Sequence, residues 1–145
     1  AANVYGPGQQ LYRIIPRTLL SARTGKTMQL HGGGHSVRAF IHIQDVVRAT
    51  LQLALEGEPG STWHLSSQES CSIRELVEQI CALTDADFNA LVQGSDERLG
   101  KDQSYLLESS AMRQVHGWSD QISLQQGLQE TLAWVNARSV HLSLI

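Results

Sequence analysis

The chain has 145 residues, a length that ordinarily forms one domain and buries roughly two thirds of the surface its unfolded form exposes. Its 41% apolar and 17% charged residues read as a globular sequence and exclude a disordered one. A net charge of -3 leaves no electrostatic footprint for nucleic acid, and no run approaches the ~18 to 20 apolar residues needed to cross a bilayer.

In chain order, "NVYGPG" predicts a strand end running into turn residues. "IIPRTLLSARTG" predicts a helix with Pro16 in its first turn and Gly25 as its stop. "KTMQLHG" reads as a strand with Met28 and Leu30 on one face. After the three glycines 32 to 34, "VRAFIHI" alternates Val37, Ala39, Ile41 and Ile43 against Arg38, Phe40 and His42, so one row is expected in the core. Asp45 is the expected cap of a helix "VVRATLQLALEG" with an apolar stripe of Val47, Leu51, Ala54 and Leu55.

"STWHLSS" is expected to be another strand, followed by a helix in which Ser72 and Glu75 spell a capping box. Ile73, Leu76, Val77, Ile80 and Leu83 should face inward from that helix. "FNALVQG" and "YLLESS" read as strands, and "ERLGKDQ" as a polar loop. A helix capped by Ser109 or Ser110 and stopped by Gly117 comes next, and a last helix begins at Ser123 and carries Leu124, Leu128, Leu132 and Val135. Strands alternate with helices throughout, so the class is α/β or α+β, in one domain spanning 1–145.

The chemistry written in these residues is sparse. The three glycines form either a turn or an anion cradle; they complete neither a Walker A sequence nor a dinucleotide fingerprint. Arg38 and Arg98 are either surface arginines or a pair of planar forks that meet over one diphosphate. His31, His35 and His42 lack metal-ligand spacing, so no metal is expected. Cys71 and Cys81 spell neither a disulfide framework nor a metal pair, which suits a reduced, cytoplasmic chain. No G-x-S-x-G elbow is present, and no basic run alternates with Trp63, Trp118 and Trp134.

Five stretches together resemble the extended short-chain dehydrogenase/reductases, the NAD-dependent sugar-nucleotide epimerases and dehydratases. They are "NVYGPGQ", "IIPRTLLSARTGKTMQLHGGG", "VRAFIHIQDVVRA", "ERLGKDQSYLLESSAMRQVHGW" and "SLQQGLQETLAWV", and they span nearly the whole chain in the family's order. The resemblance implies the C-terminal, substrate-binding portion of an extended Rossmann-type α/β enzyme. It assigns Asn3 to the nucleotide-sugar diphosphate, Arg38 and Arg98 to its phosphates, and Asp102 to the nucleotide ribose. The helix beginning "IIPRTLL" and the strand of Met28 and Leu30 would then border the nucleoside.

The family's cofactor fingerprint and its catalytic Tyr-x-x-x-Lys pair lie upstream of the N-x-Y-G-P segment. Neither occurs here: Tyr5, Tyr12 and Tyr105 are followed four positions later by Gln9, Pro16 and Ser109. The resemblance therefore implies no catalytic residue in this chain, no NAD bound by it alone, and a partner in the N-terminal cofactor-binding half. NAD would be the cofactor of a full-length enzyme, with assembly into a homo-oligomer and no nucleic-acid or membrane partner. The G-x-D-x-x-Y form of the late loop leans toward a nucleoside-diphosphate-glucose 4,6-dehydratase over an epimerase. Ala39, Leu99, Glu108 and Ala111 depart from the family's Asp, Pro, Asp and Lys. A noncatalytic, self-associating module is the competing expectation.

Overall fold

A computed structural model describes residues 1, 3–96 and 102–142. The elements follow in the order β1 (Val4–Tyr5), α1 (Ile14–Thr24), β2 (Met28–His31), β3 (Val37–Arg38), β4 (Ile41–His42) and α2 (Ile43–Glu56). Then come β5 (Cys71–Ser72), α3 (Ile73–Thr84), α4 (Phe88–Leu91), β6 (Val92–Ser95), β7 (Ser104–Tyr105), α5 (Ser110–His116) and α6 (Leu124–Leu142). Strand and helix alternate as the sequence predicts.

The strands form three small sheets: a parallel β1–β4 pair, a parallel β2–β6 pair, and a mixed sheet in the order β5-β3-β7. Helices α1, α3 and α6 pack around one core of Tyr5, Leu19, Phe40, Leu76, Ile80 and Leu128. A second cluster of Met28, Leu30, Val77, Cys81 and Leu91 lies between β2 and α3. A third joins Ile41, Ala49, Leu65, Met112 and Trp118 beneath α2.

Local signals fix several boundaries. Gly25 ends α1 and Gly117 ends α5, both in the left-handed conformation that relieves a helix C-terminus. The Ser72 hydroxyl accepts from the Glu75 amide at 3.1 Å and Glu75 accepts from the Ser72 amide at 2.7 Å, so the capping box closes. Ser123 accepts from Gln126 N at 3.2 Å at the start of α6.

Other expectations are corrected. "VRAFIHI" is not one alternating strand: β3 belongs to the mixed sheet and β4 pairs with β1, and the chain crosses between them at Ala39 and Phe40. Buried residues therefore stand in both rows, because Ala39, Phe40, Ile41 and His42 are each covered from one sheet or the other. "STWHLSS" forms no strand. Phe88–Leu91 is a helical turn capped by Asp87, which accepts from Asn89 N at 2.9 Å, and the strand starts only at Val92. At α5 neither Ser109 nor Ser110 supplies the cap oxygen; Glu108 accepts from Ser110 N at 2.6 Å.

Tyr5 is the long-range tie of the first core. Its ring meets Phe40 and His42 edge-on, and its hydroxyl donates to the carbonyls of Ser123 and Leu124 at 3.5 and 3.4 Å. Gly127 makes this possible, since a Cβ there would collide with the Tyr5 hydroxyl and ring. Alanine in a helix ordinarily gains about 0.5–1 kcal/mol over glycine. Gly127→Ala should instead lower the unfolding free energy by about 1–3 kcal/mol, the usual cost of overpacking. Urea denaturation checks the sign, and a Tyr5→Phe background should shrink the loss.

Candidate functional site

Two clefts flank Phe40. The larger, about 860 Å³, lies between the β1 turn and the start of α1 and is lined by Asn3, Gly6, Gln9, Tyr12, Arg13 and Phe40. The smaller, about 710 Å³, is lined by Arg38, Phe40, Cys71, Gln79, Asp120 and Ser123 among others. Phe40 is their shared wall.

Asn3 is placed on the larger cleft by an unusual backbone. Its φ is 47°, a left-handed conformation asparagine tolerates better than most side chains, and its carbonyl accepts from Ile41 N at 3.3 Å. Among the described residues its side-chain Nδ2 is buried with no hydrogen-bond partner, and so is Gln9 Oε1. Gln9 is oriented by Nε2, which donates to the Val4 carbonyl at 2.6 Å. Orphaned buried polar atoms are uncommon enough to require a reason, and two in one cleft mark it as polar at its base. Gly6 is required here by close approach: a Cβ would lie 2.7 Å from Ile43 Cγ2 and 2.9 Å from His42 Nε2.

Arg38 sits on β3, held between β5 and β7. Its guanidinium donates to the Val37 carbonyl at 2.7 Å and to the Asp102 carbonyl at 2.8 Å. The second bond fastens the strand of Arg38 to the far end of the polar loop predicted to carry Arg98. Arg98 itself lies outside the described residues, while Asp102 is exposed and engages Arg38 through its main chain. The structure thus brings Arg38 to Asp102, and places Asn3 on the cleft across Phe40. Gln9, Arg13 and Phe40 were not singled out by sequence; only the position of Gln9 just after the G-P-G turn could have flagged it.

Glycines 32 to 34 all have positive φ, at 57°, 63° and 77°, which answers the conformational half of the question they pose. Beside them the Ser95 hydroxyl and His31 Nδ1 are 2.7 Å apart, joining β6 to β2. No group of three metal-ligating side chains occurs among the described residues.

The titratable groups are tuned for structure. Burial pushes the Tyr5 phenol well above its usual range, and the charges of Asp45 and Glu130 add to the shift. Burial pushes the Cys71 thiol up to about 11, with Glu75 and Glu69 contributing, so it is a poor nucleophile at neutral pH. His42 caps α2 by accepting from Gln44 N at 3.4 Å through Nδ1, which leaves the proton of the neutral ring on Nε2. That nitrogen lies 3.6 Å from Glu130 Oε2.

Burial lowers the pKa of His42, outweighing the opposing effect of Glu130 and Asp45. A histidine that stays neutral when folded contributes stability that is complete above its unfolded pKa of about 6.5 and is lost as pH falls below it. The unfolding midpoint should therefore drop as pH is lowered from about 7.5 to about 5.5. Asparagine keeps a cap acceptor but cannot titrate. In His42→Asn the same descent should be shallower by thermal denaturation; an equal slope would remove His42 as its source.

Residues 1–65 match the model of the NAD dependent epimerase/dehydratase family. The chain is 30% identical over 132 residues to a trifunctional UDP-glucose 4,6-dehydratase/UDP-4-keto-6-deoxy-D-glucose 3,5-epimerase/UDP-4-keto-L-rhamnose-reductase of Arabidopsis thaliana. It is 27% identical over 143 residues to the dTDP-glucose 4,6-dehydratase of Escherichia coli. These alignments cover 91% and 92% of this chain but 20% and 40% of the relatives, so the chain spans well under half of either. A double mutant of a dTDP-glucose 4,6-dehydratase from Streptomyces venezuelae, solved with NAD and DAU bound, superposes with a TM-score of 0.91 at 28% identity over 99% of this chain and 44% of that one. The fold is accordingly the α/β, Rossmann-like fold of the extended dehydratases and epimerases.

Proposed function

We propose that the chain, whose residues 1–65 match the NAD dependent epimerase/dehydratase family model, forms the nucleotide-sugar-binding side of a nucleoside-diphosphate-sugar 4,6-dehydratase or epimerase. In this reading the chain carries no reaction centre and is inactive alone. The observation that carries it is the bond from the Arg38 guanidinium to the Asp102 carbonyl, which fastens the β3 cation to the loop containing Arg98. The Arg38 guanidinium and the Asn3 amide, with Arg98 as the second cation that the resemblance assigns, make a donor set suited to a diphosphate, which offers only acceptors. Asp102, exposed at the loop end, is the group for the ribose.

NAD supplies the hydride chemistry of such enzymes when bound. Of the two strands in the β1–β4 sheet, β1 leads through Gly6 and Gly8 to a helix that starts only at Ile14. β4 runs directly into α2, whose first turn is occupied by the His42 ring and the buried Asp45 carboxylate. The His42 ring caps the start of α2, whereas α1 starts after Arg13 with no side-chain cap. In this reading the part played by these residues is binding and orientation: the arginines neutralise the diphosphate, and Phe40 borders both the cleft of Asn3 and that of Arg38.

Both cysteines are free thiols, in accord with a reducing, cytoplasmic setting. Among the described residues no helix is long and apolar enough to cross a membrane. A second reading, a self-associating module without ligand, is favoured by the exposed apolar face of α2, where Val47, Leu51 and Leu55 are 56%, 60% and 78% accessible.

Isothermal titration with UDP-glucose and dTDP-glucose separates the two readings. Binding is expected to weaken at least about tenfold in Arg38→Ala and to vanish in the Arg38→Ala/Arg98→Ala double variant, as the loss of charge-assisted hydrogen bonds requires. Equal heats for wild type and double variant would overturn the diphosphate assignment. Self-association measured by light scattering, unchanged by either nucleotide sugar, would favour the module.

A further inference from the structure

His42 is enclosed on four sides, and its side chain has no exposed surface. The Tyr5 ring meets it edge-on at 5.4 Å, and Gly6 crosses it so closely that a Cβ there would lie 2.9 Å from Nε2. On the third side Nδ1 accepts from Gln44 N at 3.4 Å and caps α2. On the fourth stands Glu130 of α6, whose Oε2 lies 3.6 Å from Nε2 and whose Oε1 accepts from Gln126 Nε2 at 3.0 Å. The Glu130 side chain is 34% exposed, so this side leads to water.

These contacts fit the neutral ring alone. With Nδ1 accepting, the one proton sits on Nε2, which has no hydrogen-bond partner among the described residues. A second proton has to enter at Nδ1, where it turns the acceptor into a donor facing the donor of Gln44. The cap then fails, and the first turn of α2 loses the bond that satisfied one of its amides. Burial is the largest influence on the ring and holds it neutral; the Glu130 and Asp45 carboxylates favour the cation, and the Arg48 guanidinium opposes it. The Tyr5 phenol, the remaining titratable neighbour, is kept uncharged by burial. Asp45 is already matched by Arg48 and by the amides of Gln121 and Ile122, so Glu130 is the carboxylate that a charged ring can turn toward.

We infer that His42 is a proton-operated latch: neutral, it holds the first turn of α2 against the turn after β1, and protonated it releases the cap, turns to Glu130 and lets that turn move. The turn borders the larger cleft, which Tyr5 and Gly6 line together with Ile43, the residue after the latch. Gln9 is tied to β1 by its bond to the Val4 carbonyl, and Asn3 to β4 by the bond its carbonyl accepts from Ile41 N. A displacement at Gly6 therefore reaches the two unpartnered atoms of the cleft, Asn3 Nδ2 and Gln9 Oε1. The Asp45 clamp does not pass through His42, so α2 keeps its seat on the third core cluster while its first turn adjusts. Mild acid thereby rearranges the cleft without unfolding the chain. What the latch regulates rests on the nucleotide-sugar reading; the latch itself rests on the contacts of His42 alone.

Proton–nitrogen NMR of the polypeptide as its gene encodes it, titrated from about pH 8 to about pH 5 without nucleotide sugar, tests this. The amide signals of Gln44, Gly6 and Gln9 should move together, with the midpoint shown by the His42 ring protons, while the amide of Ile80 on α3 stays fixed. Glu130→Gln, on a partly exposed side chain, should carry that common midpoint to lower pH, because the carboxylate favouring the cation is gone. His42→Asn should abolish the movement. Gln44 and Gly6 signals that stay fixed, that move equally in His42→Asn, or that vanish by unfolding before the ring titrates would overturn the latch, as would a midpoint unmoved in Glu130→Gln. No nucleotide sugar is present and Arg38 takes no part, so a failure here is distinct from a failure of nucleotide-sugar binding.

Discussion

A fully buried carboxylate holds the architecture together. Asp45 has no exposed surface, and a charge so placed is tolerated only when each oxygen is matched. Arg48 pairs with it one turn along α2, and the amides of Gln121 and Ile122 donate to its two oxygens at 3.0 and 3.2 Å. Trp118 donates from its indole to the Asp45 carbonyl at 3.3 Å. The segment leading into α6 is therefore fastened to the first turn of α2. In sequence Asp45 looks like a helix cap, but His42 is the cap and Asp45 is a clamp between distant parts of the chain.

Several features of the candidate site follow from that clamp. Fixing residues 118–122 sets where α6 begins, and the carbonyls of Ser123 and Leu124 then stand where the Tyr5 hydroxyl reaches them. Tyr5 in turn holds β1 beside β4, and Asn3, just before β1, accepts from Ile41. The left-handed turn at Asn3 and the close passage of Gly6 over His42 thus depend on a carboxylate about forty residues away in sequence. Arg38 is anchored separately, through β5 and β7, so the proposed diphosphate donors are mounted on two different sheets with Phe40 between them.

How much of this was legible depended on whether the signal was local. The capping box at Ser72, the stops at Gly25 and Gly117, and the inward row of α3 are satisfied within a few residues, and each reads directly from the chain. The run "VRAFIHI" misleads because alternation specifies a strand's two faces and carries no mark of the point where the chain leaves one sheet for another. "STWHLSS" has strand composition, but its Leu65 is buried against α5 and Trp118 without a ladder partner. The stripe on α2 was correctly found, yet periodicity cannot say what lies opposite, and the face with the larger apolar residues is the uncovered one. For the site, the glycine turn and Arg38 were visible as chemistry, whereas the main-chain acceptors of Arg38 and the orphaned atoms of Asn3 and Gln9 arise only from tertiary packing.

The electrostatics of the core bear on the division of labour within the proposed enzyme. Proton transfer and nucleophilic attack need groups whose pKa lies near working pH. In this chain burial drives the Tyr5 phenol and the Cys71 thiol upward, away from ionisation, and drives His42 downward, toward the neutral ring. Each shift favours the uncharged form, which suits groups that pack and donate hydrogen bonds. The permanent charge of Arg38, by contrast, is half-buried against two carbonyls that leave several of its donors unspent. In the proposed reading, a chain that neutralises its titratable core and keeps its fixed cation beside a cleft would hold an anion still while the reacting groups come from another surface.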